Sequence, residues 1–365
     1  MSSPLVDRME PHAETIFATM SALALEHDAV NLGQGFPDTD GPAEVLEAAK
    51  HAIDAGHNQY PPSIGIPALR EAVAEHQARH HSLRLDPADE VLVTSGATEA
   101  IAASLLGLLE PGDEVVVLEP SYDSYSAVIA LAGGVKRTVP LRLPDLTIDP
   151  AALARAFSTR TRVVLLNSPH NPTGKVFTPA ELELVAEQAR RHDAVVVTDE
   201  VYEHMTFDGV PHVPMASLPG MWERTITISS AGKTFSVTGW KVGWMCAAPA
   251  LTKGIAKAHQ FLTFTTPPNL QEAVAYGLVD EVITSRKGSP AASAAAFAAC
   301  TALLLPSRAM RTTGTSGGGA ASPAFRRSRS VDQLGRKSET TRVIARLHFE
   351  ICTFARASAD QFDQP

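Results

Sequence analysis

The sequence runs to 365 residues with 44% hydrophobic side chains, length for about two domains and enough apolar material for a large core. It carries 31 Lys+Arg against 40 Asp+Glu, a net −9 at pH 7, so its field repels nucleic acid and anionic membrane surfaces and favours a small-molecule protein. Cysteines at 246, 300 and 352 are too few and too scattered for a disulfide framework or a thiolate metal site, and no apolar stretch is long enough for a membrane span. With no basic-then-apolar leader pattern in the first residues, a cytoplasmic location is expected.

In chain order, apolar β-branched runs occur at 91–93, 115–118, 163–166, 195–197 and 226–228. They are continuous rather than alternating, as expected of strands buried on both faces. Between them, a helix is predicted over 98–109 after Gly96, and another over 179–191. There Thr178 offers an N-cap, Pro179 takes the first helical position and Glu181 follows in the first turn. The layering is α/β, with a mostly parallel central sheet and helices on both faces.

The pattern breaks near residue 280. Residues 281–365 hold 12 Lys+Arg and 6 Asp+Glu, leaving 19 against 34 for the rest. Ala, Ser, Arg and Gly dominate that stretch, a composition that packs poorly. The expected division is an N-terminal arm over 1–40, a large domain over 41–280, and an atypical basic tail over 281–365 of the kind a shifted reading frame or a degenerated terminus leaves.

Four polar clusters follow the apolar runs, and in open α/β sheets ligands collect outside the carboxyl ends of the strands. Thr94-Ser95-Gly96-Ala97-Thr98 leads a strand through a glycine into a helix, whose free N–H groups and dipole suit an anion. The turn from Asn167 to Lys175, stiffened by Pro169 and Pro172, presents Asn171. Thr198-Asp199-Glu200-Val201-Tyr202 puts Asp199 at a strand end, where a desolvated carboxylate needs a cation or donor; a structural salt bridge is the plain alternative. The fourth cluster runs from Ser229 to Phe235. Its Gly232-Lys233-Thr234 matches the end of a nucleotide-binding P-loop, but that motif requires glycine at position 227, which is Thr. A lysine among small residues, with Lys241 close by, suits Schiff-base chemistry instead, because burial and a neighbouring cation free its lone pair.

Taken with Asn31-Leu32-Gly33-Gln34-Gly35-Phe36-Pro37, Asn58-Gln59-Tyr60 and Glu119-Pro120-Ser121-Tyr122-Asp123-Ser124-Tyr125, these strings resemble the class I/II aminotransferases of fold type I over residues from about 30 to 275. Within that family they resemble the kynurenine, glutamine and methionine aminotransferases and the succinyldiaminopimelate aminotransferases. The resemblance implies a fold-type-I large domain with a small α+β domain, here incomplete. It also implies pyridoxal 5'-phosphate as cofactor, an amino acid and a 2-oxo acid as substrates, a homodimer, and no metal. Lys233 would form the Schiff base and shuttle the proton, and Asp199 would pair with the pyridine nitrogen. Asn171 and Tyr202 would bond the phenolic oxygen, and Tyr122 would stack on the ring. Gly96, Ala97, Thr98, Ser230 and Lys241 would hold the phosphate, with Tyr60 reaching the phosphate of the neighbouring subunit.

On the substrate side, Gly35 matches the position near the carboxylate and Phe17 an aromatic pocket position. The arginine that grips the substrate carboxylate in the family has no match: Arg342, Arg346 and Arg356 lack the apolar strand and Cys-Lys pattern around them. Transamination is the expected reaction. The alternatives are a C–S β-lyase of the same fold and a cofactor-binding remnant whose activity the divergent C-terminus impairs.

Overall fold

The computed structural model of the chain describes residues 6–12, 16–29, 31 and 40–279. The expectations for Gly35, for the side chain of Phe17 and for the 281–365 tail, including Arg342, Arg346 and Arg356, lie outside the described residues. Helices α1 (Ile16–Glu26), α2 (Ala43–Asp54) and α3 (Pro67–His81) precede β1 (Val91–Thr94). Helix and strand then alternate through α4 (Ala97–Leu108), β2 (Glu114–Glu119), α5 (Ser124–Leu131), β3 (Val135–Pro140), α6 (Pro150–Ala156), β4 (Thr161–Asn167), α7 (Pro179–Arg191) and β5 (Val195–Asp199). After β6 (Thr225–Ser230) come the short α8 (Ala231–Thr234), β7 (Gly243–Cys246), α9 (Pro249–Leu262) and α10 (Pro268–Val279). Among the described residues no helix is long and apolar enough to cross a membrane.

The five expected runs are β1, β2, β4, β5 and β6. They belong to a seven-stranded sheet of order β1-β7-β6-β5-β4-β2-β3, parallel throughout except for β7, which lies antiparallel between β1 and β6. Successive residues of the central strands point to opposite faces, so a continuous apolar run feeds two cores at once. Val115, Val117, Val163, Leu165 and Val197 pack with Ala100, Ile101 and Leu105 of α4 and Ile255 of α9. Val116, Leu118, Val164, Leu166 and Val196 pack on the other face with Leu153 of α6 and Leu182, Val185 and Ala189 of α7. A third cluster joins Val45, Leu69 and Val73 to Trp244, Phe235 and Val274, fixing α2, α3 and α10 over the β1–β7 end of the sheet. Full burial of each such side chain is worth about 1.5–3 kcal/mol, which is why these runs set the fold.

Helix α7 starts as its sequence dictates. The Thr178 hydroxyl accepts the Glu181 N–H while the Glu181 carboxylate accepts the Thr178 N–H, a reciprocal box behind Pro179.

Strand direction places the clusters. The parallel strands end at Thr94, Glu119, Asn167, Asp199 and Ser230 along one edge, and β7, running the other way, starts there. Gly243 pairs with both Thr94 and Ser230, and Asn167 pairs with Asp199.

Candidate active site

Asp199 closes β5 and is 6% exposed. Its Oδ2 accepts the Tyr125 hydroxyl at 2.8 Å and its Oδ1 accepts the Val201 N–H at 3.4 Å. Burial pushes this carboxyl up to about 6, against the pull of the Tyr125 hydrogen bond and the Lys233 charge. Lys233 sits in α8, just past the end of β6, with Nζ 5.5 Å from the centre of the Tyr202 ring. Burial brings its amine down from the ordinary lysine value, Asp199 opposing and Lys241 adding to the fall. The carboxylate and the amine are therefore near enough to influence each other's titration.

The turn bearing Asn171 is tied to β5 by Asn167. Its side-chain amide donates to the Asp199 carbonyl at 2.7 Å, and its Oδ1 accepts the Asn171 N–H. Tyr122 stands edge-on to Tyr125, with ring centres 5.6 Å apart. The sequence alone assigns no role to Asn167 or Tyr125. The available signal was a polar residue ending an apolar run, and a second aromatic three positions after Tyr122.

The candidate anion cradle is built by close backbone approach. Gly96 has φ +81° and caps α4, and a side chain there would meet Lys241 Cε at 3.4 Å and Nζ at 3.6 Å. A Cβ on Gly243 would lie 2.7 Å from the Gly96 carbonyl carbon and 2.9 Å from the Ala97 nitrogen. So Gly96, Ala97, Ser230 and Lys241, far apart in sequence, converge around the start of β7, with Thr98 exposed in the first turn of α4. The Glu99 carboxylate steadies the loop by accepting the Ser95 N–H at 3.2 Å. His259 bridges Glu99, at 3.0 Å, to the Ser63 carbonyl, at 2.9 Å. Burial alone would lower that imidazole, but Glu99 outweighs it and the net shift is upward.

Tyr60 is 87% exposed and packs edge-on against Phe264.

Residues 27–297 match the family model for aminotransferase class I and II. The chain belongs to that family. It is 54% identical over 279 residues, 76% of this chain and 70% of the relative, to the probable N-succinyldiaminopimelate aminotransferase DapC of Mycobacterium tuberculosis. It is 42% identical over 277 residues, 75% of this chain and 72% of the relative, to the methionine aminotransferase of Escherichia coli. Among solved structures it superposes on the N-succinyldiaminopimelate aminotransferase of Mycobacterium tuberculosis with a TM-score of 0.74 and 50% identity, covering 82% of this chain and 76% of that one.

The protein is thus an aminotransferase with the fold-type-I architecture, and members of this family use pyridoxal phosphate. The residues present suit that cofactor. A carboxyl raised by burial to about 6 is still mostly ionised at neutral pH, and a buried charge of that kind calls for a cationic partner, which a protonated pyridine nitrogen is. The Gly96–Lys241 cradle combines helix-start N–H groups with an ammonium group, a donor set for phosphate.

Proposed function

We propose that the protein transfers an amino group between an L-amino acid and a 2-oxo acid, with Lys233 as the amine that links to the cofactor and moves the proton. The observation that supports this reading is the placement of buried Asp199 at the end of β5 and of Lys233 just past the end of the adjacent parallel strand β6. When bound, pyridoxal phosphate supplies the electron sink for charge left on the substrate α-carbon. Asp199, steadied by Tyr125, would keep the ring nitrogen protonated. Asn171 and Tyr202 would hydrogen-bond the phenolic oxygen, and Tyr122 would lie on the ring face. Gly96, Ala97, Thr98, Ser230 and Lys241 would hold the phosphate, with Tyr60 reaching across to that of a neighbouring subunit, which agrees with its exposure within one chain. Lys233 Nζ would take the proton from the α-carbon and return it, a role its lowered basicity favours. Gly35 and Phe17 complete the proposal on the substrate side.

The 54% identical relative makes an N-succinylated diamino acid the first donor to test, with methionine next. The test is the visible spectrum of the full chain with pyridoxal phosphate, before and after each donor, alongside Lys233→Ala. A protein-bound band that bleaches with one donor and is restored by a 2-oxo acid is expected, with Lys233→Ala forming no such band. An unchanged band in Lys233→Ala removes Lys233 from the role. A band that no donor shifts favours the impaired remnant, and release of pyruvate and ammonia from a cysteine conjugate favours the β-lyase.

A further inference from the structure

Away from the strand-end crevice, α3 and the turn after β5 bring together four histidines and a buried glutamate with no part in the proposed chemistry. His76, His80 and His81 lie in the last turns of α3, and Glu203 and His204 lie in the turn that follows Asp199 and Tyr202. His81 Nε2 is 2.6 Å from Glu203 Oε2, and His76 Nε2 is 2.7 Å from His204 Nε2. One ligand atom from each of His76, His81 and Glu203 falls within 4.8 Å of the others. The rings of His76 and His204 meet at 5.0 Å between centres, and His80 stacks beside both at the half-buried rim.

We propose that His76, His81, Glu203 and His204 form a binding site for a divalent transition-metal ion of the zinc type.

Three features support this assignment. First, Glu203 is buried, and among the described residues it is ion-paired with His81 and with no lysine or arginine. A buried carboxylate surrounded by imidazoles rather than by fixed cations is the environment of a metal ligand. Second, Glu203 Oε1 accepts the Ser229 hydroxyl, which fixes the carboxylate and turns Oε2 toward the histidines, the kind of outer contact that orients metal ligands. Third, two imidazole nitrogens facing each other at 2.7 Å can share only one proton, so at least one lone pair already points into the cluster. Metal bonds of about 2.0–2.2 Å on a tetrahedron put donor atoms roughly 3.3–3.5 Å apart. His81 Nε2 and Glu203 Oε2, at 2.6 Å, lie closer than that spacing, and the ligand atoms of His76, His81 and Glu203 all fall within 4.8 Å of one another, so side-chain shifts on the order of 1 Å would close these three on one ion, with His204, 2.7 Å from His76, beside them as the fourth. Such an ion would clamp α3 to the turn that carries Tyr202. The assignment rests on this cluster alone and not on the proposed reaction.

The test uses the full chain, stripped with a chelator, loaded with Zn²⁺ and dialysed. Elemental analysis is expected to find a single retained ion per chain, and Zn²⁺ should raise the thermal midpoint. Loading with Co²⁺ should give the intense visible bands of a four-coordinate N/O site. In Glu203→Gln and in the double variant His76→Gln/His81→Gln, retention should weaken by at least ~10-fold, whereas His51→Gln, exposed on α2, should match the parent. Absent retention, or equal retention in the double variant, overturns the site. Should a variant fail to fold, the Co²⁺ spectrum of the parent decides: weak bands of a hydrated six-coordinate ion overturn the assignment as well.

Discussion

The Tyr125 hydroxyl donates to Asp199 Oδ2 at 2.8 Å, joining the first turn of α5 to the end of β5 inside the core. A hydrogen bond to a charged group is worth about 1.5–3 kcal/mol, and this one holds down a carboxyl that burial pushes up to about 6. In Tyr125→Phe the Asp199 pKa should rise further. Turnover at neutral pH should fall roughly 10–100-fold, with the acid limb of the kcat profile moved to higher pH. A lower plateau with an unmoved limb would assign Tyr125 to packing alone.

Asp199 sets function against stability. Its folded pKa, about 6, lies above the ordinary 3.8. Between those values the folded state binds more protons than the unfolded chain, so this group's contribution falls as pH rises through that window. At neutral pH the buried charge destabilises the cofactor-free protein by up to about 3 kcal/mol. Asp199→Asn is expected to stabilise the cofactor-free protein at neutral pH, to flatten that part of the pH dependence in urea titrations, and to abolish transamination. A destabilised, still active variant would contradict both expectations.

Gly243 is where a single methyl group would reach the proposed anion cradle. Alanine there meets Gly96 and Ala97 backbone at 2.7–2.9 Å, and backbone cannot swing aside as a flexible side chain can. Gly243→Ala should lose about 1–3 kcal/mol of stability and bind pyridoxal phosphate at least ~10-fold more weakly. Gly239→Ala has nothing within 4 Å of its added carbon and should match the parent in both assays.

Glu114 at the start of β2 is expected to make stability depend on pH in the acid range. It accepts from Arg137 at 2.6 Å, from Ser158 at 2.6 Å and from Arg160 at 2.8 Å. The Arg137 hydrogen bond does most to draw its carboxyl from 4.5 down to about 2. The stabilisation is complete above 4.5 and disappears as pH falls toward 2. Glu114→Gln should therefore melt earlier at neutral pH and show a shallower loss of melting temperature on acidification across that window. Parallel melting curves for parent and variant would exclude Glu114 as a source of that dependence.

The residues that build the central sheet were readable because strands buried on both faces leave a local trace, continuous Val, Leu and Ile. β7 leaves none: Gly243-Trp244-Met245-Cys246 has no β-branched run, and its place is set by pairing with strands far away in sequence. β3 escaped for the opposite reason, since as an edge strand it exposes most of its residues, including Lys136 and Arg137 at intermediate or full exposure. In the site, Lys233, Asp199 and Asn171 stood out as strings after strands, and the structure puts all three at neighbouring strand ends. Tyr125 and Asn167 act by contacts made across the fold, and the histidine cluster draws on positions 76 to 204, so neither spacing nor composition could reveal them.

The reversed course of β7 also bears on how the chain is made. Among the described residues β1 pairs with β7 alone, and the two are separated by the whole run from Thr94 to Gly243. A chain growing on the ribosome can join β2, β3, β4 and β5 as each emerges, but β1 must wait at the border until residue 246 is out of the tunnel. The proposed phosphate cradle, which needs Gly243 against Gly96, is therefore among the last features to be assembled, and a nascent chain would not capture the cofactor there while the sheet is still open at that side.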